Sequence, residues 1–127
     1  MKKTVKIADQ LIRDILKHLP ARCCCCNTPY GLETGHWITR SFKGTRWDLR
    51  NVFRQCRSCN SLHEYNTKPM DSFMERYDTE ELKQLSRIIT KKYAVQEKIV
   101  ILKEILVKLE NGEFTTRQEI EDYQLNS

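Results

Sequence analysis

No apolar run in the 127 residues approaches the roughly 20 that a helix needs to cross a bilayer, which excludes a helical membrane span. The start, Met1-Lys2-Lys3-Thr4, runs into Asp9, Arg13 and Asp14 and lacks the apolar stretch of a signal peptide. There is no internal repeat and no low-complexity linker. Hydrophobic residues at 39% and charged residues at 31% exclude both a collagen-like chain and a disordered polyelectrolyte. The length allows one compact domain, or a small core with a helical extension. Large aliphatic side chains are scarce across residues 23–66, so that stretch is too small to fold on burial alone. The six cysteines, in a chain without secretory features, point to a reducing cytosol, where clustered thiols are more often metal ligands than disulfides.

The net charge of +5 is unevenly spread. Residues 1–64 hold 12 Lys/Arg against 5 Asp/Glu, whereas residues 65–127 hold 10 against 12. A basic half that also contains every cysteine suggests an anionic partner such as nucleic acid.

Three segments follow from the pattern: an amphipathic helix within 1–20, a zinc-binding ββα module over 21–66, and a helical region over 67–127. In the first, Val5, Ala8, Leu11, Ile12, Ile15, Leu16 and Leu19 recur at spacings of three and four, predicting a helix over 4–19 that Pro20 ends. In the second, 36–39 and 49–53 read as short strands, with Lys43-Gly44-Thr45 as the turn of a loose hairpin. In the third, a short helix follows Cys59, Pro69 starts another over 70–77, and Asp78 with Glu81 forms a capping box opening a helix over 79–93. A further helix over 95–110 aligns Val95, Ile99, Leu102, Leu106 and Leu109, and Asn111-Gly112 closes it. Thr115 with Gln118 is expected to cap a last short helix.

Cys23-x2-Cys26 and Cys56-x2-Cys59 are two pairs separated by 29 residues. Two intervening residues let both thiolates of a pair turn toward one point, and four such sulfurs make a closed tetrahedral site for structural Zn²⁺. Cys24 and Cys25 are then spare thiols at the knuckle tip. In so small a segment, metal binding supplies folding free energy directly. A saturated zinc does no Lewis-acid chemistry, so any catalytic centre lies elsewhere.

His36 on the first strand, Asn51 on the second and Asn60 on the following helix stand where a ββα metal site uses them. A histidine can take a proton from water near neutral pH. A side-chain carbonyl can help to hold a divalent cation against a scissile phosphate. The same residues also fit plainer roles: His36 as a packed ring donating to a backbone carbonyl, and Asn51 and Asn60 as turn and N-cap residues. His63 reads as an exposed helical side chain, His18 as surface, and Trp37 and Trp47 as packing around the knuckle.

Taken together, Cys23-x2-Cys26, Thr34-Gly35-His36-Trp37, Arg46-Trp47-Asp48-x2-Asn51, Gln55-Cys56-x2-Cys59-Asn60, Asn66 and Phe73-Met74-x2-Tyr77 resemble the phage recombination protein NinG/Rap family. More broadly they resemble the treble-clef His-Asn-His (HNH) endonucleases. The resemblance covers about residues 22–92. It implies an α+β protein in which a treble-clef zinc ββα module is flanked by an N-terminal helix and a C-terminal helical extension. It also implies a structure-specific DNA endonuclease acting on branched or junction DNA in phage recombination, with Zn²⁺ structural and Mg²⁺ or Mn²⁺ catalytic. By position, His36 is the general base, Asn60 contributes to the catalytic metal, and Asn51 braces the loop between the strands and so aims His36. Two positions depart from the wider HNH pattern. Gly35 stands where many members carry an acidic residue or second histidine, leaving Asp48, His63, Glu64 or a water to complete the metal shell; NinG-like members resemble this chain in having glycine there. Phe53 stands where many relatives have a histidine.

Arg40, Lys43, Arg46, Arg50, Arg54 and Arg57 face a single acid, Asp48, between residues 36 and 59. Arginine forks grip phosphates without reading base sequence, which suits recognition of DNA shape. Symmetric cuts at a junction suggest a homodimer, formed through the 95–110 helix. The expected address is the cytoplasm, that of a bacterial host if a phage or prophage encodes the chain. The alternatives are a non-catalytic zinc module that binds nucleic acid through the same arginines, and an adaptor that uses knuckle and helices for protein contacts.

Overall fold

The computed structural model describes residues 2–88 and 92–127. Its elements run α1 (Lys3–Leu16), β1 (Leu32–His36), α2 (Lys43–Arg46), β2 (Val52–Cys56), α3 (Arg57–His63), α4 (Lys68–Met74), α5 (Thr79–Ser86), α6 (Lys92–Glu110) and α7 (Arg117–Leu125). The fold is mixed α+β. No helix among the described residues is long and apolar enough to cross a membrane.

The apolar face of α1, from Val5 through Leu16, is buried because the 3.6-residue period keeps these side chains on one stripe. Two tight turns carry the chain on to Leu19, with amides bonded to carbonyls three residues back. The stripe packs along α6, against Leu102 and Ile105, and the same core takes in Trp47, Leu49, Val52 and Ile120. Segments 1–20 and 67–127 thus share one core. The stripe of α6 on which the expected homodimer rested is covered from within the chain.

A second core gathers Phe53, Met70, Met74 and Leu82. Val52 and Phe53 are adjacent on β2, so strand alternation points one into each core. Phe53, where a histidine was expected, meets Phe73 edge-on at 4.8 Å between ring centroids.

The hairpin is shifted from its expected place. The strands are 32–36 and 52–56, paired antiparallel from Leu32↔Cys56 to His36↔Val52, rather than 36–39 and 49–53. One backbone bond, from Trp37 N to Asn51 O at 3.0 Å, extends the ladder. Beyond it the Asn51 side chain replaces it, accepting from Ile38 N at 2.7 Å and donating to Ile38 O at 3.0 Å. Lys43-Gly44-Thr45, expected as a turn, lies within α2. Gly44 permits the close approach of α5, since a Cβ there would strike the Leu85 carbonyl oxygen.

The later helices differ mainly at their ends. Pro69 falls in the first turn of α4, which ends at Met74. Asp78 caps α5 by accepting from Glu81 N at 3.0 Å; of the expected span 79–93, residues 89–91 lie outside the described residues. The last cap is one residue later than expected. Thr116 and Glu119 form the reciprocal box: Thr116 Oγ1 accepts from Glu119 N at 3.3 Å, and the Glu119 carboxylate accepts from Thr116 N at 3.1 Å.

Candidate functional site

The hairpin register brings Cys56 opposite Leu32, so both knuckles meet at the open end of the sheet. The Sγ atoms of Cys23, Cys26, Cys56 and Cys59 all lie within 4.8 Å of one another. Tetrahedral Zn–S bonds of about 2.3 Å require sulfurs about 3.8 Å apart, and Cys26 and Cys56 stand at 3.7 Å. Amides support the sulfurs as knuckle geometry requires: Cys25 N donates to Cys23 Sγ and Cys59 N to Cys56 Sγ, each at 3.4 Å. Burial opposes ionisation of Cys23, but amides of neighbouring cysteines outweigh it and bring the thiol down to about 6. Burial, and then the crowd of neighbouring thiols, pushes Cys59 up. Cys23 forms a thiolate readily while Cys59 resists ionisation without a cation, so the cluster is suited to holding a zinc ion. Cys24 and Cys25 stay outside it; Cys25 Sγ instead accepts from Gln55 Nε2 at 3.3 Å.

A groove of about 820 Å³ runs between α1, β1 and α3, and His36, Asn60, His63, Glu64, Arg40 and Arg54 all line it. His36 Nε2 lies 3.0 Å from the Arg46 carbonyl. A carbonyl only accepts, so the ring proton is on Nε2. Nδ1 has no protein partner among the described residues, so its lone pair is free, and His36 lines the groove. Burial, reinforced by the charges of Arg46 and Arg40, lowers the imidazole to about 4. His63 bonds through Nε2 to the Trp37 carbonyl at 2.9 Å, and its Nδ1 is buried without a partner. His63 is therefore anchored, not free on the helix surface.

Asn51 is fully buried, at 0% exposure, and lies away from the groove. Besides Ile38 it donates to Thr45 O at 3.1 Å, so one side chain ties 38 to 45. This same loop carries Arg46, whose carbonyl orients His36. Asn60, just inside α3, donates to Glu33 Oε1 at 2.8 Å. Its own side-chain oxygen meets no protein donor among the described residues. Glu33 also lines the groove. Sequence reasoning missed this acid, although it is the only one between Asp14 and Asp48. Asp48 is remote in role, bound to the Arg50 guanidinium at 3.0 and 2.8 Å.

Gly35 has a steric reason. Gln55 crosses its face, and a Cβ at 35 would run into Gln55 Oε1 and approach its Cβ to 3.0 Å. No acidic ligand fits there without displacing a buried side chain.

The six expected phosphate-binding cations divide. Arg40, Lys43 and Arg57 are exposed and Arg54 is half-buried. Arg46 and Arg50 are corrected: both are buried in internal ion pairs. Arg46 is paired with Asp9 at 2.7 Å, while Arg50 bridges Asp48 and Glu81 at 2.8 and 3.0 Å. Arg50 precedes β2, so it shares no strand face with Arg54. Trp47 is wholly buried and donates its indole N–H to Asp9 at 2.8 Å. His18 is exposed. No family model, curated protein or solved structure matches this chain.

Proposed function

We propose that this chain is a metal-dependent endonuclease of the HNH type, built on a treble-clef zinc module, that hydrolyses phosphodiesters in branched DNA of the kind formed in phage recombination. Knuckle, β1, β2, knuckle and α3 follow in the order such a module needs, with Zn²⁺ held by Cys23, Cys26, Cys56 and Cys59 as a folding element. The observation that carries the reading is that His36 and Asn60 line one groove with Arg40 and Arg54.

In this reading Arg40 and Arg54 seat the strand by its phosphates. His36 Nδ1 accepts a proton from a water in the groove, and the hydroxide attacks phosphorus as the P–O bond to the leaving oxygen breaks. Arg46 O holds the ring so that Nδ1 is the available nitrogen. Asn60 and Glu33 present hard oxygen atoms, the donor type that Mg²⁺ or Mn²⁺ prefers, and such a cation would neutralise charge on the scissile phosphate.

The decisive experiment is cleavage of a labelled four-way junction by zinc-loaded protein, with and without added Mg²⁺ or Mn²⁺. Cleavage that needs the divalent ion, and that falls about 100-fold or more in His36→Ala while binding persists, supports the reading. The low basicity of His36 favours a second reading, a non-catalytic zinc module that binds nucleic acid. That reading requires salt-dependent binding with no cleavage under any divalent ion.

A further inference from the structure

A second recess lies apart from His36 and Asn60. A cavity of about 250 Å³ is formed where the Pro20 turn, β2, α4 and the start of α7 meet. Arg22, Arg54, Arg76 and Arg117 line it, with Phe53 and Phe73 in the wall and no carboxylate among the lining residues. None of the four was expected to act together from the sequence, because they come from four separate stretches of chain.

Their protein partners leave most of this donor capacity unused. Arg22 donates to Asn27 O and Arg54 to Leu19 O, each through one bond of 3.3 Å. Arg76 lies over the Phe73 ring at 3.6 Å and Arg117 over the Phe53 ring at 4.7 Å. A guanidinium over a ring is attracted to its face while its N–H groups can still donate. Arg117 gives one nitrogen to the carbonyls of Leu49 and Val52, and Glu121 is 3.6 Å away. That carboxylate already accepts from the Tyr77 hydroxyl at 2.7 Å. Four cations gathered in a small recess repel one another unless an anion joins them. Both rings in the wall are thus already engaged by a guanidinium. A compact oxyanion with several acceptor oxygens matches the free N–H donors.

We propose that this arginine cavity is a phosphate-binding subsite, and that its phosphate is a backbone diester of the DNA strand engaged by the His36 groove. Arg54 lines both recesses and so links them through one cationic side chain. The choice of DNA as the source of the phosphate rests on the nuclease reading.

Two measurements on zinc-loaded protein test it. First, junction affinity without added divalent ion is followed against salt for wild type, R22Q/R76Q and R40Q. Loss of two phosphate contacts in R22Q/R76Q lowers the slope of log affinity against log salt by about 2. Second, inorganic phosphate is titrated while the arginine Nε–H signals are followed by NMR; Arg76 and Arg117 are expected to shift, and not with chloride. An unchanged slope in R22Q/R76Q beside a reduced slope in R40Q overturns the subsite and leaves the nuclease reading standing. Wild-type protein that binds no DNA removes the nuclease reading. The phosphate titration then decides the cavity alone, since shifts at Arg76 and Arg117 keep it as a phosphate site and their absence overturns it. Arg22 and Arg76 are exposed, so the double variant retains the fold.

Discussion

Asp9 and Arg46 form a two-pronged ion pair across 37 positions of sequence, Nε to Oδ1 at 3.0 Å and Nη2 to Oδ2 at 2.7 Å. The pair docks the loop between the strands onto α1, and the same loop presents the carbonyl that orients His36. Asp9→Ala leaves a buried guanidinium without its partner, so a loss of about 3 kcal/mol is expected in chemical denaturation. Burial raises the Asp9 carboxyl, but bonds from Arg46 and Trp47 outweigh this and hold it below the usual carboxylate range. The pair therefore contributes fully above pH of about 4, and the contribution fades as pH falls below that. A variant whose stability matches wild type at both pH 7 and pH 3 would show that the pair contributes nothing.

Replacing Cys59 with Ser, or chelating the metal, is expected to abolish stoichiometric zinc binding and unfold the hairpin with α3. Because thiolates bind the metal and protons compete for them, zinc is released as pH falls. Metal analysis with far-UV circular dichroism at each pH checks both statements. Retention of full secondary structure in metal-free protein counts against a folding role for the ion.

His36 is held neutral, with its imidazole lowered from 6.5 to about 4. The unfolded chain binds the proton first, so stability declines as pH drops from about 6.5 toward 4. His36→Gln should lessen that decline, and urea midpoints at pH 7 and pH 4.5 measure it. In wild type, cleavage limited by this base should show no inflection between pH 6 and 8; a step near 6.5 assigned to His36 by NMR contradicts the burial argument.

Asn51→Ala removes three buried hydrogen bonds and orphans Ile38 N and Ile38 O, at a cost of about 2–3 kcal/mol. Since Asn51 does not face the groove, DNA affinity should fall less than the cleavage rate. Comparing binding constants with single-turnover rates separates the two.

Gly35→Ala should cost about 1–3 kcal/mol through overpacking against Gln55. The added Gln55→Ala change should recover much of this loss. Failure of the second change to do so would remove the steric explanation for glycine at this position.

Much of this architecture was legible before any coordinates. The α1 stripe followed from period alone, and the Asp78 cap from local chemistry. The four-thiol cluster followed from spacing, because two residues between cysteines constrain where sulfurs can point. Strand limits were misplaced because Asn51 substitutes a side chain for backbone pairing, which no alternation pattern reveals. Arg46 looked like a phosphate contact because its partner Asp9 is remote in sequence, and Arg50 because nothing in the pattern shows its pairing with nearby Asp48 and distant Glu81. The share of α6 in the α1 core was hidden for the same reason: an apolar stripe announces burial without naming what buries it.

That α1–α6 contact has a consequence for synthesis. The first helix is made early, but α6, which shields most of its apolar face, begins only at residue 92. At about 5–20 residues per second on the ribosome, α1 must wait several seconds with much of its greasy side uncovered. The nascent chain is then at its most adhesive, and a long-separation contact of this kind slows the closing step.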